Sequence, residues 1–99
     1  MLTHVVLFCF PDLEVAAECR DRMLAMKGRI PALLDIEVGV DIVRSGRSFD
    51  LALITRHEDL AGMEAYQVHP VHQELLDWVK PRVQKAVAVD FVSGRTVAG

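Results

Sequence analysis

The run "AYQVHPVHQEL" (residues 65–75) places Tyr66, His69 and His72 within seven positions, with Pro70 between the two histidines. Imidazole and phenol are side chains that move protons or hold a developing oxyanion near neutral pH. The proline sets their geometry. The residue before a proline is kept out of the helical region, so a helix over 60–68 must break near His69. A second helix, over 70–80, then starts with Pro70 at a favoured first position. His69 becomes a cap whose ring accepts the amide of residue 72 or one nearby. His72 becomes the third helical residue, at the positive end of a helix dipole, which disfavours the imidazolium and leaves a neutral ring. A neutral His72 can take a proton from the carbon next to a carbonyl, and the Tyr66 hydroxyl can hydrogen-bond the enolate oxygen that forms. The same residues also fit a structural role, with His72 filling a polar corner and bonding a backbone carbonyl.

A further histidine, His4, lies in "LTHVVLFCF" (2–10), a β-branched and aromatic run that reads as a strand covered on both faces. Alternation puts His4, Val6, Phe8 and Phe10 on one face and Val5, Leu7 and Cys9 on the other. If the first face meets helices, His4 is a polar group in an apolar pocket, opposite His72. Val6, Phe8 and Met63 are then its expected substrate-contacting walls. A core histidine satisfied by a neighbour is the competing reading. No metal and no cofactor are expected. His69 and His72 straddle a helix start, His57 falls at a strand end, and the chain has no HExxH, CxxC or GxxxxGK pattern.

These side chains need a frame, and the hydropathy pattern supplies one. Asp12 caps a helix over 13–28, in which Val15, Cys19, Met23, Met26 and Ile30 form one apolar stripe that Gly28 ends. Residues 33–44 alternate, with Leu34, Ile36, Val38, Val40 and Ile42 facing inward. "SGRS" (45–48) is a turn, and 49–57 pairs back as a hairpin. Asp59 caps the helix over 60–68, residues 86–92 form a last strand, and 93–99 read as a loose tail. Strand, helix, strand, strand, helix, helix, strand is the split βαβ order of a ferredoxin-like α+β fold. It implies a four-stranded antiparallel sheet with helices on one face. The bare face calls for a second sheet, which a homodimer provides.

The chain has 99 residues, 52% apolar and 25% charged, and is expected to form a single domain over 1–99. Its formal charge of −3 and pI near 5.7 argue against nucleic-acid binding. No apolar run reaches the roughly 18 residues of a membrane span. The N-terminus has no basic region ahead of its apolar stretch, and Cys9 and Cys19 have no ligand-like spacing. Free thiols and a cytoplasmic location are therefore expected.

The segments "HVVLFCF", "DIEVGVDI", "FDLALITRHEDLAGMEAYQVHPVH" and "AVAVDF" resemble the stress-responsive A/B barrel (Dabb) family over nearly the whole chain, "AYxxHPxH" being the most specific element. The resemblance implies a dimeric α+β barrel, two ferredoxin-like subunits joined through their sheets. It implies no single activity. A plant polyketide cyclase of this family closes its substrate by intramolecular aldol condensation. Its functional histidines and tyrosine fall by motif position on His4, Tyr66 and His72. Three functions follow: a protein that binds or processes a small apolar carbonyl compound, a non-enzymatic stress-linked structural or oligomerising protein, or a cofactor-free monooxygenase-like enzyme.

Overall fold

The computed structural model describes residues 1–94. Its elements are β1 (Leu2–Cys9), α1 (Leu13–Leu24), β2 (Asp35–Val40), β3 (Leu51–His57), α2 (Leu60–Val68), α3 (Pro70–Val79) and β4 (Lys85–Val92). The four strands form one antiparallel sheet in the order β2-β3-β1-β4. This is the expected ferredoxin-like α+β architecture. Asp12 and Asp59 start α1 and α2 by accepting the amides of Val15 and Gly62 at 2.9 and 2.8 Å, each satisfying an amide that the first helical turn leaves without a partner.

Several expected boundaries move inward, two of them for a clear local reason. α1 ends at Leu24, because the amides of Met26, Lys27 and Arg29 bond three residues back rather than four. Gly28, at φ 79°, then turns the chain through the left-handed region that glycine tolerates. The apolar stripe nevertheless persists through Met26 and Ile30, both buried. β2 stops at Val40, because the Asp41 carboxylate captures the Arg44 amide at 2.8 Å and begins the turn. Ile42, expected inside, is therefore 91% exposed, and Leu34 at the other end is also exposed. β3 begins at Leu51 rather than 49. Of the expected loose tail, residues 95–99 lie outside the described residues.

The core lies between the sheet and the helices. Phe8, Ile36, Leu51 and Leu53 from the sheet meet Cys19, Met23, Tyr66, Leu75 and Val79 from the helices. α1 packs on β2, and α2 packs on β3 and β1. β4 is exposed along its whole length. Among the described residues no helix is long and apolar enough to cross a membrane.

Candidate functional site

The break at His69 builds the centre of the site. His69 ends α2 and caps α3 at once, with φ −64° and ψ 139°, and its Nδ1 accepts the Val71 amide at 3.1 Å. The ring is thus engaged by the backbone, through the amide next to residue 72. The end of α2 leaves carbonyls without helical partners. One of them, Gln67 O, accepts from His72 Nδ1 at 2.9 Å and from Gln73 Nε2 at 2.7 Å. Donation from Nδ1 makes Nε2 the basic nitrogen of a neutral His72.

His72 is held at the face of Tyr66, with ring centroids 4.4 Å apart and planes tilted by 48°. His57 approaches the same phenol, with ring centroids 4.9 Å apart and planes tilted by 43°. Tyr66 has no exposed surface, and its hydroxyl has no hydrogen-bond partner among the described residues. A buried polar atom without a partner is rare and costs stability. Burial also pushes the phenol's pKa well above its ordinary value, so it stays protonated and able to donate.

The sheet supplies the rest. The strand register aligns Thr55, His4 and Asp90 across β3, β1 and β4. His4 is buried, and its Nδ1 pairs with an oxygen of the half-exposed Asp90 carboxylate. His57 is wholly buried; its Nδ1 donates to Ala32 O at 2.8 Å, and its Nε2 sits 2.9 Å from the Thr55 hydroxyl. With Nδ1 donating, Nε2 accepts from Thr55, and every polar atom of the His57 ring is satisfied as a neutral imidazole.

Electrostatics agree with this assignment. Burial is the first cause holding the His72 pKa below its ordinary value; the bond to Gln67 O opposes it, and the charges of His4 and His57 lower it further. The expected direction is found, but desolvation leads rather than the helix dipole. His57 is lowered in the same way, by burial first, against the bond to Ala32. The mutual influence of His4, His57 and His72 places the three imidazoles in one electrostatic neighbourhood.

Val6 and Phe8 share the helix-facing side of β1 with His4, as expected, and Met63 is buried on α2. Phe8, however, packs within the core and stacks on Phe10 at 5.9 Å. Two concavities among the described residues lie away from the histidines. One, of about 180 Å³, lies between α1 and α3 beside Arg22, Met26 and Trp78. The other, of about 380 Å³, lies on the far face of the sheet.

Residues 2–93 match the stress responsive A/B barrel domain. The chain belongs to this family. No curated protein matches the chain. Among solved structures, it is similar to a dimeric ferredoxin-like protein of unknown function from Thermobifida fusca YX, at 25% identity and a TM-score of 0.81, covering 93% of this chain and 90% of that one. A dimeric protein of unknown function with a ferredoxin-like fold from Bacteroides fragilis NCTC 9343 is similar at 24% identity and a TM-score of 0.80, over 91% and 93%. The hydroxynitrile lyase of Passiflora edulis has the same fold, at 13% identity and a TM-score of 0.80, over 98% and 96%.

Within this A/B barrel domain, the structure adds three polar residues that the sequence reading did not assign to the site. Asp90 carries the one signal that could have found it, a lone carboxylate inside the apolar run "AVAVDFV". His57 was placed only at a strand end, and Thr55 had no distinguishing mark at all. Among the described residues, no three His, Cys, Asp or Glu side chains are grouped so as to hold a metal ion.

Proposed function

We propose that this A/B barrel protein is a homodimer in which each subunit acts by general acid–base chemistry on a small, largely apolar carbonyl compound. His72 Nε2 takes a proton from the carbon beside the carbonyl. The Tyr66 hydroxyl donates to the oxygen on which the enolate charge develops. His4, oriented by Asp90, is placed to carry a proton to or from the reacting chain, and closure onto a second carbonyl of the same molecule would be an aldol condensation. Val6 and Met63 supply apolar contacts, while Phe8 belongs to the core. The observation that carries this reading is Tyr66, wholly buried with two imidazoles against its ring and with a hydroxyl that has no partner among the described residues. The fold shared with a hydroxynitrile lyase adds only that this frame carries enzymes. The homodimer is supported by the dimeric similar structures and by the apolar side chains exposed on the bare face of the sheet. Two free cysteines fit a reducing, cytoplasmic setting.

A β-diketone in D2O tests the chemistry, because deuterium uptake at its central carbon reports proton abstraction directly by NMR. The wild-type protein accelerates exchange, and His72→Ala reduces that acceleration by about 10²–10⁴-fold with the fold retained. Equal exchange in both proteins removes His72 from the mechanism.

A second reading, a non-enzymatic structural protein, is favoured by the direct ring contact of Tyr66 with His72. It requires that His72→Ala lower the melting temperature while no exchange above buffer is found in either protein.

A further inference from the structure

The Tyr66–His72 site is closed. Tyr66 and His57 have no exposed surface, and His4 is also buried. A compound that meets the Tyr66 hydroxyl therefore needs a packed element to move, and the elements around it are not held alike. α2 follows directly on β3 and packs against β3 and β1. α3 packs mainly on α2 and α1, and of its residues Leu75 and Val79 are buried. Both ends of α3 are joints. At the first, His69 leaves the helical region at ψ 139° and Pro70 has no amide to give, so the α2 ladder does not run on into α3. At the second, residues 80–84 are irregular.

A cation–π contact ties α3 to α1. The Arg22 guanidinium, on α1, lies 4.7 Å from the centroid of the Trp78 ring, on α3. Arg82 lies over the same ring at 4.5 Å and donates to Trp78 O at 2.8 Å, so it belongs to the end of α3 itself. An exposed contact of this kind is weak. Beside it the seam is already parted. The cleft of about 180 Å³ has Arg22 and Ala25 on one wall and Glu74 and Trp78 on the other, with the buried Met26 and Leu75 at its floor. Leu75 and Val79 belong to the same buried cluster as Met26 and Tyr66. Moving α3 away from α1 takes both out of that cluster and opens space beside Tyr66. His72 lies next to the first joint and is bonded to Gln67 O, at the end of α2, so it moves least. Base and donor stay together while the space beside them opens.

We propose that α3 is a lid over the Tyr66–His72 pair, hinged at His69-Pro70 and in residues 80–84, and latched to α1 by Arg22 on Trp78. This rests on the acid–base reading and adds how a substrate reaches a buried site. Closure then keeps water from the enolate.

Hydrogen exchange of the folded protein, read by mass spectrometry, tests the motion without any substrate. The α3 amides are expected to exchange in low urea through an opening that leaves β1 and α2 protected. Arg22→Ala is expected to speed that exchange roughly fivefold or more, with β1 unchanged. α3 amides that exchange only together with β1, by global unfolding, overturn the lid and leave the acid–base reading standing. An unchanged rate in Arg22→Ala overturns the latch. A tether tests the purpose. Ala25→Cys and Glu74→Cys, on opposite walls of the cleft, are bridged by a flexible bis-maleimide in a Cys9→Ser background, Cys19 being buried. Bridging is expected to slow deuterium uptake by the β-diketone about tenfold or more, relative to the same protein with each cysteine blocked singly by N-ethylmaleimide. Equal uptake in the bridged and blocked proteins overturns the lid. Absence of uptake above buffer in the wild-type protein overturns the acid–base reading itself, and the hydrogen-exchange result then decides the lid alone.

Discussion

Tyr66 and His72, six residues apart and on different helices, meet ring to ring at 4.4 Å because the chain breaks between them at His69-Pro70. An unbroken helix would carry residues 66 and 72 some 600° apart, on different sides of its axis. The break turns α3 back on α2, and the carbonyl freed at Gln67 fixes the imidazole that results. The same interruption therefore creates the contact and sets the tautomer.

The orphaned Tyr66 hydroxyl gives stability and activity opposite signs. Tyr66→Phe removes a buried donor that has no partner among the described residues and is expected to stabilise the fold by about 1 kcal/mol. The same change is expected to slow β-diketone deuterium exchange, because the enolate loses its donor. Urea unfolding and the NMR exchange assay read the two effects separately. A destabilised Tyr66→Phe protein would mean that the hydroxyl serves the fold.

Acid should destabilise the protein through its buried imidazoles. Burial lowers the folded pKa of both His57 and His72 below the ordinary value of 6.5. Below about pH 6.5 the unfolded chain takes up protons that the folded chain refuses, so stability rises with pH. The contribution is fully present above that value and is lost progressively as the pH falls toward the lowered folded values. The melting temperature is expected to fall on acidification from pH 7 to pH 5, by less in His57→Asn than in wild type. A melting temperature that rises over that interval would show that the imidazoles are not held neutral.

Asp50 is expected to matter more than its distance from the histidines suggests. Its buried carboxylate accepts the Phe10 amide at 2.7 Å and the Arg44 guanidinium at 2.7 Å, and the Phe10 amide is the first cause holding its pKa below the usual range. It joins the end of β1 to the turn in which Arg44 sits at φ 55°. Asp50→Ala strands a buried amide and is expected to cost about 2 kcal/mol in urea unfolding, with faster proteolysis in the 41–50 loop. Asp50→Asn, which keeps an acceptor, should cost less. Equal costs for the two would place the contribution in the charge rather than in the bond to Phe10.

Short-range chemistry accounts for the features that could be read along the chain. The aspartates at 12 and 59 start helices because their carboxylates reach amides three residues on. The proline at 70 ends one helix and begins another because its ring excludes the helical conformation just before it. Alternation marked the helix-facing side of β1, with His4, Val6 and Phe8, and the stripe from Val15 to Ile30 marked the buried side of α1 and of the turns that follow it. Element order then led to a ferredoxin-like α+β sheet, and the tyrosine and the second histidine of "YQVHPVH" stood out as the pair to examine. Ile42 escaped this reading because alternation continues past the point where Asp41 turns the chain.

The company those side chains keep is set by long-range packing. Asp90 reaches His4 because β4 pairs with β1 in one register; a shift of one residue would carry the carboxylate to the opposite face. His57 comes against Tyr66 because β3 lies under α2, and Thr55 and Ala32 then satisfy its ring from two separate parts of the chain. The pKa values of His57 and His72 fall because packing removes water from them, a quantity that no local pattern encodes. Periodicity is a property of neighbours along the chain. Register, burial and the environment of a ring depend on residues dozens of positions apart, and those exist only once the sheet has closed and the helices have docked.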